Sequence, residues 1–290
     1  MIPLLKTFAT GVGSALTAIA LATAPFPDDM APASQEPSET AFATDLVMIP
    51  AGTFLYRQAG EFTRGGRVVE APIVTTAVGR LQMMKRQVTV AEYRRCVTDA
   101  ACPDLADPRQ APERPVTRTS WRDAEAYAAW LSARTGAVWR LPTDEEWVHA
   151  AGSRFRDDAI PVAFSADPAR RWLARYEKEA NEEAATDRQP QPIGHFGANE
   201  NSILDLAGNV WEWTASCYRR VDLDRGGDGV VNCGIRVIEG RHRGYVPDFI
   251  RDPRSGGCAV GKPPANLGFR LIREEGAWPS LRRLVPWLGN

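Results

Sequence analysis

An α+β fold is predicted from three observations. Two amphipathic helical patterns, opening at Ser120 and Thr143, stand among short strand-like runs. The long stretches between them carry neither the helical nor the strand period. The 24 Gly and 22 Pro among 290 residues suit a loop-rich chain better than a helical bundle.

The elements follow in chain order. Residues 46–49 (LVMI) and 53–56 (TFLY) read as two short strands around the Pro50-Ala51-Gly52 turn. Residues 60–79 are polar and Gly-rich and read as a loop with a weak strand. Val88-Thr89-Val90 leads into a helix over 91–97 with Thr89 as its N-cap. The clearest helix opens at Ser120, whose spacing to Asp123 forms a capping box with an aspartate in place of the usual Glu or Gln. Trp121, Ala124, Tyr127, Ala128 and Leu131 share one face of it, and Gly136 is placed to end it. A strand over 138–141 follows. Thr143 and Glu146 then space a second capping box, and Trp147, Ala150 and Ala151 line the apolar stripe of that helix. Beyond Gly152 the chain is irregular, with strand candidates at 210–214, 235–239 and 268–272. Loops this long are commonly functional, disordered, or pinned by metals and disulfides.

Composition bounds the function. Hydrophobic residues make up 44% and charged residues 24%, enough for a packed core. Lys+Arg is 35 and Asp+Glu 36, so no basic surface for nucleic acid is expected. At the N-terminus Lys6 precedes an uncharged, largely apolar stretch over 8–24, and Ala20-Leu21-Ala22 offers small residues to a signal peptidase. Residues 1–22 are therefore expected to be a signal peptide, cleaved after Ala22, giving a periplasmic or secreted protein. An uncleaved anchor is disfavoured, because the apolar stretch contains Gly11 and Gly13, ends at Pro25, and is shorter than the roughly 20 residues of a span. Residues 23–44 read as a solvated linker rich in Pro, Ser and acids. No transmembrane span is expected after cleavage.

Export makes the 5 cysteines readable as an oxidising-compartment set. Two local bridges, Cys96 to Cys102 and Cys217 to Cys233, are the expected pairing, although spacing alone does not fix connectivity. Cys258 is left over and reads as a buried unpaired cysteine rather than a reactive thiol.

Standard catalytic devices are scarce. His149, His195 and His242 lie far apart and belong to no metal-binding spacing. His149 reads as a structural helix residue, and Glu145 and Glu146 as N-terminal acids favoured by the helix dipole. No G-x-S-x-G elbow, P-loop or dinucleotide fingerprint is present. The informative run is 199–214 (NENSILDLAGNVWEWT). It reads as a turn at Gly208-Asn209 followed by a strand, with oxygen donors of the kind a hard cation such as calcium prefers.

The segments VMIPAGTF, VTVAEY, PVTRTSWRDAEAYAAWL, RLPTDEEW, LAGNVWEWT and NLGFRLI follow one another in this order. Together they resemble the sulfatase-modifying-factor family, whose founding activity is formylglycine generation, over about Leu46 to Arg273. The resemblance implies a single domain over 45–275 with C-type-lectin-like α+β topology, little regular secondary structure and calcium bracing. Residues 276–290 are then a C-terminal extension. Its Trp278, Leu281, Leu284 and Trp287 recur at helical spacing and are expected to pack on the domain. One calcium would take carbonyls of Gly208 and Val210 and the Glu212 carboxylate, with Asn209 adjacent. A second would use Asn181, Glu182 and Asp187, which are closer together than the family's spacing.

Formylglycine-generating members oxidise a substrate cysteine with a copper ion held by two cysteines upstream of the NLGFR segment. Counting back from Asn266 places Gly244 and Phe249 near those positions, and residues 240–251 contain no cysteine. Cuprous copper wants soft sulfur ligands, so copper is not expected, and Cys258 lies too close to the NLGFR segment to substitute. The resemblance thus implies an exported accessory or maturation factor binding a protein or peptide partner, of the kind found beside periplasmic redox enzymes such as copper nitrite reductases. The alternative is a formylglycine-generating oxidase, or a related oxidase tailoring a secreted peptide or siderophore. For the latter chemistry His242, near Arg241, Arg243, Tyr245 and Asp248, is the candidate catalytic residue.

Overall fold

The computed structural model describes residues 45–105, 110–156, 189–251 and 266–274, together with residues 170, 173, 174 and 177. The expected signal segment and linker, Asn181, Glu182, Asp187, Cys258 and the C-terminal extension lie outside the described residues.

Twelve strands and three helices are described, in the order β1 (Leu46–Ile49), β2 (Gly52–Arg57), β3 (Glu61–Arg64), β4 (Arg67–Val69), β5 (Ile73–Val78), β6 (Leu81–Met84), α1 (Val90–Thr98), α2 (Trp121–Thr135), β7 (Trp139–Arg140), α3 (Asp144–Ala151), β8 (Trp211–Asp222), β9 (Val230–Glu239), β10 (Gly244–Pro247), β11 (Leu267–Gly268) and β12 (Ile272–Arg273). One antiparallel sheet has the order β1-β6-β12-β7. A second runs β10-β9-β8-β3-β4 and adds β11 beside β8, with β3 and β11 parallel to β8. Strands β2 and β5 form a separate ribbon. Among the described residues no helix is long and apolar enough to cross a membrane.

All three helices open on reciprocal capping boxes: Thr89 with Glu92, Ser120 with Asp123, and Thr143 with Glu146. Each box closes two backbone N–H groups that the helix itself leaves unbonded. Each capping acid is also gripped by an arginine. Arg86 meets both Glu92 oxygens at 2.7 Å, Arg140 meets both Glu146 oxygens at 2.7 Å, and Arg251 reaches Asp123 at 2.7 and 2.9 Å. In the first and third helices the arginine, cap and acid share one spacing, R-x-x-T-x-x-E. Burial disfavours ionisation of these acids, but the arginine hydrogen bonds and charge together with the cap hydrogen bonds outweigh it and hold Glu92, Asp123 and Glu146 below their ordinary range. Gly136 ends α2 in the left-handed region, at φ 68°.

Two apolar clusters hold the layers together. The face of α2 predicted from spacing packs Ala124, Tyr127, Ala128 and Leu131 against Trp213 and Phe269. Helix α3 packs Trp147, Val148, Ala150 and Ala151 against Ile49, Met83, Ile203 and Leu206. Trp147 and Trp213 are fully buried, and truncating a side chain of that size costs about 3–5 kcal/mol.

The strands depart from expectation where local pattern carries no signal. Residues 60–79 form three strands, β3, β4 and β5, rather than a loop with one weak strand. Their ordering comes from pairing with β2 and β8, and β5 alternates exposed and half-buried residues such as Thr75 and Thr76, which leaves little hydrophobic period to read. Strands β6 and β10 were not expected either. Strand β8 continues to Asp222 instead of ending near Thr214, because beyond the core it zips against β9 in a long hairpin. The run 268–272 splits: β11 joins β8, β12 joins β6 and β7, and Phe269, Arg270 and Leu271 carry the chain from one sheet to the other.

Candidate functional site

The 199–214 run folds as a tight turn entering β8. Asp205, Ala207 and Asn209 all take positive φ, at 58°, 55° and 48°. The Asp205 carboxylate repays this by accepting the N–H groups of Gly194 and Phe196 at 2.6 and 2.8 Å. Asn209 grips the Gln191 backbone from both ends, accepting its N–H at 2.8 Å and donating to its carbonyl at 3.0 Å. The turn thereby ties residues 191–196 to the start of β8.

Glu212 points inward from β8 and is fully buried. Arg270 donates to both of its oxygens at 2.7 Å, Trp147 Nε1 donates to one at 2.9 Å, and Gln87 Nε2 donates to the other at 2.8 Å. Four donors fill the acceptor sites of one carboxylate. The Asn209 side chain is likewise committed to Gln191. These side chains therefore do not fit a calcium ion: Glu212 has no lone pair to spare for one, and its charge is already balanced by Arg270. Among the described residues no group of three or more His, Cys, Asp or Glu is arranged to hold a metal. Arg270 escaped the sequence reading, although an arginine inside the apolar run LGFRLI signals a buried partner.

A second buried network lies at the start of α3. Arg243 is fully buried and pairs with Asp144 and Glu239, each at 2.9 Å. It also donates to the Arg57 carbonyl at 2.9 Å, while the Tyr56 hydroxyl donates to Asp144. Burial and then the neighbouring Asp144 push the Tyr56 phenol well above its ordinary range, so it stays protonated and able to donate.

This network disperses the residues grouped around His242. Arg243 belongs to the core. The Tyr245 hydroxyl accepts the Gly60 N–H at 2.7 Å, and Asp248 is engaged by Arg122 at 3.1 Å. His242 itself sits edge-on to Trp211, with ring centroids 4.6 Å apart, and its Nδ1 bonds the Arg243 carbonyl at 2.9 Å. His149 stacks on Phe54 and bonds the Pro50 carbonyl at 2.8 Å, as a structural residue should.

Within residues 240–251, packing is tight at two glycines. A Cβ at Gly240 would lie 2.6 Å from the Trp211 indole. One at Gly244 would lie 3.1 Å from Ile238 and 3.4 Å from Trp211. Trp211 thus blocks a side chain at Gly240, just before β10, and Ile238 crowds one at Gly244, while Phe249 projects outward, 64% exposed.

Both expected disulfides form. Cys96–Cys102 closes the end of α1 inside the core. Cys217–Cys233 links β8 and β9 where their register shifts, and the guanidinium of Arg236 lies 3.2 Å from Cys217 Sγ.

Comparison with known proteins places these features. The family described as sulfatase-modifying factor enzyme 1-like domain matches residues 32–275. An inactive C-alpha-formylglycine-generating enzyme 2 of Bos taurus is 35% identical over 174 residues, covering 55% of this chain and 55% of its own length. A formylglycine-generating enzyme of Mycobacterium tuberculosis is 34% identical over 187 residues, covering 55% of this chain and 57% of its own. The chain thus spans about half the length of the curated relatives it matches. The solved structure of PvdO from Pseudomonas aeruginosa shares the fold, with a TM-score of 0.51 at 20% identity, over 79% of this chain and 94% of that one.

Proposed function

This chain belongs to the sulfatase-modifying factor enzyme 1-like family, and on that premise we propose that it is an exported accessory protein, one that binds a redox enzyme or its peptide during maturation and runs no cysteine–copper oxidation. One observation carries the reading. Residues 240–251 hold no cysteine, and a side chain would collide with Trp211 at Gly240 and crowd Ile238 at Gly244. Soft-metal capture needs paired sulfur donors, which this segment does not supply. The similarity to a relative described as inactive supports the same reading.

The test has two arms. Purified protein is incubated with copper and a CxPxR peptide, and the peptide is followed for the mass loss of aldehyde formation. No conversion is expected. In the second arm the tagged chain is used to capture partners from the exported fraction, and a redox enzyme, such as a copper nitrite reductase, is expected to be retained. Copper-dependent aldehyde formation would overturn the proposal, as would capture that retains no redox enzyme.

A further inference from the structure

The bridge between Cys217 and Cys233 differs from its counterpart in the α1 region in two ways. Cys96 and Cys102 are both buried. Cys233 is exposed, within an exposed stretch over 230–234 that includes Val230 at 73% and Val231 at 57%. The second difference is a positioned cation. The guanidinium carbon of Arg236 lies over Trp121, 3.7 Å from the ring centroid, and its terminal nitrogen donates to the Ala215 carbonyl at 2.8 Å and to Cys217 Sγ at 3.2 Å. Its Nε is buried without an acceptor, and it makes no ion pair among the described residues. The acids that face it are Glu125 on α2 and Asp248 after β10, and Asp248 is engaged by Arg122. The indole and the carbonyl hold the guanidinium in place without neutralising it. An anion formed at Cys217 Sγ would meet it at once.

We propose that Cys217–Cys233 is a thiol-exchange site, in which Cys233 is the sulfur attacked and Cys217 the leaving group, and that it accepts electrons from a dithiol-bearing peptide or protein. An incoming thiolate forms a bond to Cys233 Sγ as the Cys217–Cys233 bond breaks, and the electron pair leaves on Cys217 as a thiolate stabilised by Arg236. The donor's second thiol then loses its proton to solvent and attacks the mixed disulfide. It releases Cys233 as a thiolate, which takes a proton, and leaves the donor oxidised to a disulfide. Two electrons pass from the donor to the bridge in this single turnover. Attack in the other sense is disfavoured, because Cys217 is half-buried beside the arginine while Cys233 stands open beside two exposed valines. The valines offer an apolar seat to a peptide, which a small thiol does not use.

The experiment exposes the folded, oxidised full chain to a synthetic CxxC peptide or to glutathione without denaturant, then quenches by alkylation and maps the products by mass spectrometry. Reduction of Cys217–Cys233 with Cys96–Cys102 intact is expected. Glutathione is expected to stop at a mixed disulfide on Cys233, and the dithiol peptide to carry the reaction to completion. Arg236→Gln is expected to slow opening about tenfold, and Arg236→Lys, which keeps the charge, to recover most of that rate. Adduct on Cys217 instead of Cys233, loss of both bridges at equal rates, or glutathione outrunning the dithiol peptide would each overturn the proposal. Equal rates for wild type and Arg236→Gln would do the same, as would Arg236→Lys reacting as slowly as Arg236→Gln. The adduct mapping uses the wild-type chain, so it decides even if a variant fails to fold.

Discussion

Arg270→Met tests what holds the turn into β8. The substitution keeps the aliphatic stem but removes the two 2.7 Å contacts to Glu212 and the 3.0 Å bond to the Leu204 carbonyl. Glu212 then keeps only Trp147 and Gln87 as donors, at a site with no exposure. Breaking a buried pair from one side costs about 3–5 kcal/mol, a large share of the roughly 5–15 kcal/mol available to a native protein. With a urea dependence of about 3 kcal/mol per molar, the unfolding midpoint should fall by about 1–2 M. Tryptophan fluorescence in a urea series measures this directly. The double variant Glu212→Met with Arg270→Met removes both charges together and should be less destabilised than the sum of its singles. Running Glu212→Gln in calcium and in EDTA separates the arginine pair from a metal role, and the same midpoint shift is expected in both buffers. A shift below about 0.3 M for Arg270→Met, far under the 1–2 M worked out from these magnitudes, would refute the reasoning. So would strict additivity in the double variant, or a Glu212→Gln cost that shrinks in EDTA.

Other consequences are equally direct. Glu146 is held below its ordinary carboxyl range despite burial, chiefly by Arg140 and by the Thr143 N–H. Its stabilisation is therefore fully present above about pH 4.3, the unfolded value, and is lost as pH falls through the lower folded value. Glu146→Gln should be less stable than wild type at neutral pH and should converge with it as pH falls through the lowered folded value, as read by chemical denaturation at each pH. Ser120→Ala removes the side-chain acceptor for the Asp123 N–H and should cost about 1 kcal/mol by thermal unfolding. Gly268→Ala sets a Cβ against the Val116 carbonyl, whose own N–H is held by Val88 at 2.8 Å, so the backbone cannot easily yield. A loss of about 1–3 kcal/mol is expected, and wild-type stability in that variant would contradict the close approach of β11 to residue 116.

The helices were legible because their signals are local. A cap, an acid three residues on and an apolar stripe sit within a dozen residues, and Ser120, Thr143 and Gly136 all act as their spacing predicted. The two short disulfides were legible for the same reason. The strands over 60–79 and the outer half of β8 were not, since their order comes from partners far along the chain and their side chains face water on one or both faces. The site divided along the same line. The lack of cysteine over 240–251, where the resemblance implies a thiolate pair, could be read from the sequence, but the burial of Arg243 among Asp144, Glu239 and Tyr56 could not, because its partners come from three separate elements. The resemblance implied calcium at Glu212, and distance along the chain hid the arginine bonded to it.

The passage of residues 269–271 between the two main sheets bears on how the domain comes apart. Phe269 is packed with α2, Arg270 is bonded to Glu212 of β8, and the Leu271 carbonyl accepts from Met84 of β6. Peeling either sheet away drags on this shared crossing and exposes the charges beneath it. Melting should accordingly proceed as one cooperative transition, with calorimetric and van't Hoff enthalpies in agreement, and no half-assembled species should accumulate.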